Sequence, residues 1–204
     1  MSRAVSVTQL YNKKRKVVDF TGKWRDAFGC PELKGAWLIW AESGSGKTTF
    51  VAMLCKYLTQ FARVGYDSLE EGDSETMKLA FQRVGMEEVK SRIILLNKEP
   101  ISELKERLRK HKAPTVVVID SVQYADLTYK EYKEMRAEFE NTLFIMISHA
   151  DGKHPEGRVA KKIRFDVDIK VNVVGYRAFV VSRYGGGTPI TVWEEGAEKY
   201  HGLL

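Results

Sequence analysis

Eight residues, Ala41-Glu42-Ser43-Gly44-Ser45-Gly46-Lys47-Thr48, put two glycines, a lysine and a threonine at a spacing suited to holding phosphate. Gly44 and Gly46 let the backbone curl so that successive N–H groups point inward at phosphate oxygens. A helix beginning near Gly46 adds the positive end of its dipole. Lys47 is placed to reach the β and γ phosphates, and the Thr48 hydroxyl to ligate Mg²⁺. The predicted binding set is Ser43, Gly44, Ser45, Gly46, Lys47, Thr48 and Thr49, and the predicted cofactors are ATP and Mg²⁺. Ala41 stands where such loops usually carry a first glycine. The alternative is a glycine-rich turn with no ligand, but Gly46-Lys47-Thr48-Thr49 at a helix start has no obvious packing reason.

Carboxylates supply the complementary chemistry. Val116-Val117-Val118-Ile119-Asp120 is a buried-strand pattern ending in an acid, which can hold Mg²⁺ or its water shell beside a phosphate loop. Glu70 and Glu71 follow another strand-like run, where a carboxylate can orient and deprotonate an attacking water. Composition alone reads these two as solvated loop acids.

The elements that must position these groups alternate along the chain. Strand-like runs are Ala36–Trp40, Arg63–Ser68, Arg92–Leu96, Thr115–Ile119 and Thr142–Ser148. Helix-like runs are Lys47–Ala62, Ser74–Val84, Ser102–His111 and Lys130–Glu140, with Asp73 or Ser74 capping the second and Ser102 the third. Such alternation argues for an α/β fold with a mainly parallel sheet flanked by helices. Ligands of such sheets sit at the C-terminal strand ends, so Asp120 and the phosphate loop should converge. Further on, Asp168–Val174 and Arg177–Ser182 flank Gly175-Tyr176, a tight turn, and Ile190–Glu194 adds a short strand. An antiparallel extension of the sheet follows.

A chain of 204 residues with 44% hydrophobic content suits one domain, read as 19–204 behind a basic stretch at 1–18 that forms an arm or a loosely docked strand. A short helix ended by Gly29 carries Trp24 and Phe28 on one face. No apolar run spans a bilayer and no signal-peptide pattern opens the chain, so a soluble cytoplasmic protein without a membrane partner is expected. Cys30 and Cys55 lack metal-ligand spacing and read as buried thiols. Net charge is +6, with Lys13-Lys14-Arg15-Lys16 as the densest basic run. That balance fits nucleic acid as partner, and equally a solvated basic surface.

These motifs, taken in order, resemble the RecA-like branch of P-loop ATPases: the cores of replicative hexameric helicases, RadA and KaiC-type proteins. The resemblance covers roughly residues 20–196. It implies that Glu70 is the catalytic glutamate, with Glu71 as the second acid of paired-glutamate versions. His149, in Ile147-Ser148-His149, falls on the polar position that senses the γ-phosphate and links it to a DNA-binding loop; an ordinary structural histidine is the other reading. Arg183, in Val180-Val181-Ser182-Arg183-Tyr184-Gly185, falls on the arginine that reaches a neighbouring subunit's nucleotide, and implies a homo-oligomer with Arg183 acting in trans. Val181 stands where relatives carry a lysine, so one trans-acting charge is missing. The catalytic set is then Lys47, Glu70, Glu71, His149 and Arg183, with Thr48 and Asp120 on the metal. The loop after the sensor, with Lys153, Arg158, Lys161, Lys162 and Arg164, falls where relatives contact single-stranded DNA. Its glycines and proline suggest a mobile first half, no base-reading motif is present, and sequence-independent binding is implied. A short solvated helix is the alternative there. The chain resembles a stand-alone ATPase of phage or mobile elements.

Three functions compete on this reading. The first is an ATPase acting on DNA in recombination, replication or transposition as an ATP-dependent oligomer. The second is an ATP-gated protein-binding switch or helicase loader, with a replication or recombination protein as partner. The third is a small-molecule kinase, which the absence of an arginine-rich lid after Asp120 and the presence of Glu70 disfavour.

Overall fold

The computed structural model describes residues 4–202. Residues 1–3 of the expected arm and 203–204 of the expected domain lie outside them. The fold is α/β, with a mainly parallel sheet covered by helices on both faces. Strand β1 (Gly35–Ala41) is central. It pairs in parallel with β5 (Leu143–Asp151) on one side and β7 (Ile169–Val174) on the other. Beyond β5 lie β4 (Val116–Asp120), β2 (Val64–Ser68) and β3 (Ile93–Asn97), all parallel. Beyond β7, β8 (Arg177–Ser182) and β9 (Ile190–Thr191) run antiparallel, while β6 (His154–Pro155) folds back on β5.

Burial explains why these runs are strands. In β1 every residue after Gly35 is buried, as a central strand covered on both faces requires. Its side chains alternate between two cores. Trp37, Ile39 and Ala41 join Phe20, Trp24, Phe28 and Phe50. Ala36, Leu38 and Trp40 join Leu104, Tyr132 and Phe144 on the other face. Trp37 is fully buried, so truncating it to alanine should cost about 3–5 kcal/mol.

The helices are α1 (Val7–Asn12), α2 (Gly22–Phe28), α3 (Lys47–Leu58), α4 (Glu75–Arg83), α5 (Ile101–Leu108), α6 (Tyr129–Glu138), α7 (Arg158–Asp166) and α8 (Glu194–His201). Gly29 ends α2 with φ 71, and Trp24 stacks on Tyr57 of α3 at 5.1 Å. Ser74 caps α4, as its sequence suggests.

Several expectations are corrected. The third helix starts from Pro100, which offers no side-chain cap, so Ser102 lies inside α5 rather than at its cap. Residues 158–166 form a helix that buries Ala160 and Ile163, and residues 154–155 pair with β5; the segment is built rather than a plain loop. The last strand stops at Thr191, and Glu194 begins a helix instead. Only Cys55 is a fully buried thiol; Cys30 is half-buried.

Candidate nucleotide and hydrolysis site

Parallel pairing brings the C-terminal ends of β1, β2, β4 and β5 to one pole of the sheet. The loop after β1 turns through Gly44 (φ 76) and Gly46 (φ 90) into α3. Gly46 is doubly required. Its backbone is left-handed, and a Cβ there would lie 2.9 Å from the Tyr176 ring. Gly46 also caps α3 without a side-chain hydrogen bond, so the first-turn N–H groups keep their donor capacity.

A cavity of about 350 Å³ opens over this loop. Ser43, Gly44, Gly46, Lys47, Thr48 and Thr49 line it from one side; Glu70, Glu71, Asp120 and His149 line it from the other. Ser45 is not on its wall; its carbonyl accepts from the Tyr176 N–H at 3.1 Å.

Asp120 ends β4 almost wholly buried, at 7% exposure. The Tyr66 hydroxyl, from neighbouring β2, donates to its Oδ2 at 2.5 Å. Burial pushes the Asp120 carboxyl above its ordinary value; Tyr66 and Lys47 pull it back, while Glu70 and Glu71 add to the upward push. A buried carboxylate facing two more acids is an environment that favours a bound cation, and Thr48 shares the cavity with it.

The backbone of β4 also places Glu70. The Asp120 carbonyl accepts from the N–H groups of Leu69 at 2.7 Å and Glu70 at 3.1 Å. The Glu70 carboxylate then meets His149 Nε2 at 3.0 Å. His149 is delivered by register, because it pairs with Ala41 at the mouth of the phosphate loop. Glu71 differs: its Oε2 accepts from Thr76 and, at 3.4 Å, from the Ser74 hydroxyl at the start of α4.

Gln123 links His149 to the basic segment. Its side-chain oxygen accepts from the His149 N–H at 3.4 Å, and its Nε2 donates to Ser148 Oγ at 2.8 Å and to the Glu156 carbonyl at 2.9 Å. In that segment Lys153, Arg158, Lys161 and Lys162 are exposed. Lys161 pairs with Asp151 at 3.0 Å, and Lys162 sits 5.7 Å from the Tyr129 ring centre. Arg164 is half-buried over Trp40, 5.6 Å from its ring, and Trp40 Nε1 donates to the Lys153 carbonyl. Trp40 immediately precedes the phosphate loop, so the segment packs on the strand that carries it.

Arg183 is not brought to this cavity. It follows β8, whose last residue pairs with Ile169 at the start of β7, at the opposite pole. There its guanidinium meets Asp168 at 3.1 Å. Val181 is 66% exposed on the same strand.

Four contributors escape a linear reading. Tyr66 faces Asp120 only because β2 and β4 are neighbours. Arg83, at the end of α4, lines the phosphate cavity and also a wider groove of about 1030 Å³ beside it. That groove is walled by Trp24, Met53, Val84 and Trp193. Tyr176 separates the two spaces, and Trp193 packs edge-on against it at 5.0 Å. Only Tyr176 carries a signal in the sequence, its place in the Gly175-Tyr176 turn.

No protein-family model matches this sequence, and no curated protein matches it. Solved structures do match in fold. The KaiC-like protein PH0186 of the hyperthermophilic archaeon Pyrococcus horikoshii superposes with a TM-score of 0.56 at 19% identity, over 83% of this chain and 88% of its own. The flagellar accessory protein FlaH of Methanocaldococcus jannaschii gives 0.58 at 13% identity, over 88% and 96%. A third solved structure, an ATPase domain, gives 0.53 at 16% identity, over 79% and 81%. The chain shares the RecA-like α/β fold of these structures.

Proposed function

We propose that the protein binds ATP with Mg²⁺ and hydrolyses it to ADP and phosphate, coupled to DNA through an ATP-dependent homo-oligomer. The observation that carries this reading is the meeting of Lys47, Glu70, Asp120 and His149 around one cavity, with Glu70 and His149 in contact. The loop N–H groups and Lys47 hold the triphosphate. Thr48 and Asp120 hold Mg²⁺, which when bound neutralises charge on the phosphate oxygens. Glu70 orients the attacking water and accepts its proton. His149 is hydrogen-bonded to that same carboxylate, so a change at Glu70 is felt at His149 and, through Gln123, at the 153–164 segment. The wide groove beyond Gly46, with the Trp193 ring at its rim, accommodates the base and ribose.

The position of Arg183 supports action in trans. It is at the far pole from its own phosphate loop, so it serves catalysis only by reaching the nucleotide of a neighbouring copy. An arginine in that role is worth about 10³–10⁵ in rate.

The test is phosphate release from ATP with and without single-stranded DNA, at two salt concentrations. Stimulation that weakens with salt supports the reading; release indifferent to DNA contradicts the coupling. One observation favours a second reading, an ATP-gated switch or loader with slow turnover: Val181 occupies an exposed position without the second cation. That reading predicts tight ATP binding, slow release and no DNA response.

A further inference from the structure

The basic run Lys13-Lys14-Arg15-Lys16 has no role in the site above. It lies at the other pole, where the parallel strands begin. There it walls a cleft of about 390 Å³ with Lys34, over Phe61, Ala62 and Thr115. The one acid lining that cleft, Glu32, is already paired with Lys34 at 3.0 Å. A second cleft of about 230 Å³ opens beside it, lined by Arg63, Arg92, Lys110 and Lys112 and by no acid. The two open at neighbouring strand entries: Ala62 and Thr115 of the first are chain neighbours of Arg63 and Pro114 of the second.

This surface is built, not merely composed of surface lysines. Lys112 is held in a left-handed conformation (φ 60), and the Arg63 guanidinium donates to its carbonyl at 2.9 Å. The Arg63 carbonyl in turn accepts from the N–H groups of Thr115 and Val116, at the entry to β4. The Lys110–Lys112 turn is thereby fixed against the sheet. Among the described residues, Lys13, Lys14, Arg15, Lys16, Arg92, Lys110 and Lys112 form no ion pair, whereas Lys34 and Arg107 of the same clefts are paired with Glu32 and Glu99. Unpaired cations lining neighbouring clefts suit an anion of repeated charge.

We infer that this pole is a second, ATP-independent nucleic-acid surface, which takes the phosphate backbone of a single strand along the two neighbouring clefts. Concavity favours a strand over a flat anionic membrane, which meets protruding charges. Tyr11, 82% exposed beside the run, offers a ring on which a base can stack. The seven residues of β1 place this surface about 20 Å from the phosphate loop. It is therefore separate from the 153–164 segment, and it extends the nucleic-acid part of the proposed function without needing hydrolysis.

The experiment is fluorescence anisotropy of a labelled single-stranded oligonucleotide over a salt series, without nucleotide. Three proteins are compared: wild type, a pole variant (Lys14→Ala, Arg15→Ala, Lys110→Ala, Lys112→Ala) and a segment variant (Lys153→Ala, Lys161→Ala, Lys162→Ala). Each lost phosphate contact lowers the slope of log affinity against log salt by about 0.7. The pole variant should lose about 3 from that slope and bind more than tenfold weaker at low salt. The segment variant should keep most of its ATP-independent binding, and phosphate release without DNA should be unchanged in the pole variant. A wild-type slope and affinity in the pole variant overturns the inference. So does a wild type that ignores the oligonucleotide but sediments with phosphatidylserine vesicles. If the oligonucleotide binds through the pole yet leaves hydrolysis unstimulated, this inference stands while the DNA-coupled reading fails.

Discussion

The two ends of one sheet treat charge in opposite ways. At the C-terminal pole, acids are drawn inward: Asp120 is buried, hydrogen-bonded by Tyr66 and pressed by Glu70 and Glu71. At the N-terminal pole, the Lys13–Lys16 run, Arg92, Lys110 and Lys112 are left in solvent without an ion pair, the last two on a turn that Arg63 clamps. Desolvated charges depend on one another, and losing one partner leaves the rest exposed to the full cost of burial. Solvated charges act almost independently and yield to salt. The first pole suits chemistry at one point, and the second suits extended, nonspecific attraction.

The sharpest way to break this contrast is at Lys47. Lys47→Ala removes the main cation facing the phosphate loop and Asp120, and phosphate release should disappear; retained turnover would refute the phosphate-binding reading outright. Next comes Arg183. Arg183→Ala should lose roughly 10³-fold in the assembled state. Mixing it with Lys47→Ala should restore part of the rate, since one protein then supplies the phosphate loop and the other the arginine. Absence of any rescue, with assembly intact, would argue that Arg183 is only the Asp168 partner.

Tyr66→Phe sharpens the burial argument. It deletes a hydrogen bond to a buried carboxylate, worth about 1.5–3 kcal/mol, and should lower thermal stability measurably while the exposed pole is unaffected. Asp67 gives the smallest effect, visible only through pH. Its Oδ1 accepts from the Glu99 N–H at 3.1 Å, its Oδ2 has no partner, and burial pushes its carboxyl up to about 7, with Arg107 opposing. The folded state therefore holds a proton that the unfolded chain releases near its ordinary value. Stability from this group is greatest at low pH and is lost as pH rises toward 7. The stability gained by Asp67→Asn over wild type should grow by about 2 kcal/mol between pH 5 and pH 8 in denaturant unfolding. An equal difference at both pH values would contradict it.

The same contrast governs what a linear reading can see. Gly44, Gly46, Lys47 and Thr48 are legible because their chemistry is local, set by spacing within one turn. Asp120 is legible because a buried strand ending in an acid is rare enough to mean something after such a loop. Tyr66, Arg83 and Tyr176 are not, since strand order and helix docking bring them to the cavity. Helix α7 is half-legible: Gly152, Pro155 and Gly157 argue for a loop, while a short solvated helix is the alternative that the segment adopts at Arg158–Asp166. Helix α8 hides behind Gly196, a poor helix former whose missing Cβ makes room for the Trp193 ring; a Cβ there would lie 2.2 Å from it. At the other pole the Lys13–Lys16 run is plain in the sequence, but Arg63, Arg92 and Lys112 join it only when the strand ends are brought together.

The most direct measurement of the central claim is phosphate release by Glu70→Gln, with nucleotide binding followed in parallel. The site predicts unchanged ATP binding and hydrolysis reduced by about 10²–10⁴-fold, while Glu71→Gln, whose carboxylate is engaged by Thr76 and Ser74, stays near wild type. Wild-type hydrolysis in Glu70→Gln, or its loss in Glu71→Gln alone, would contradict the assignment of the water-activating carboxylate.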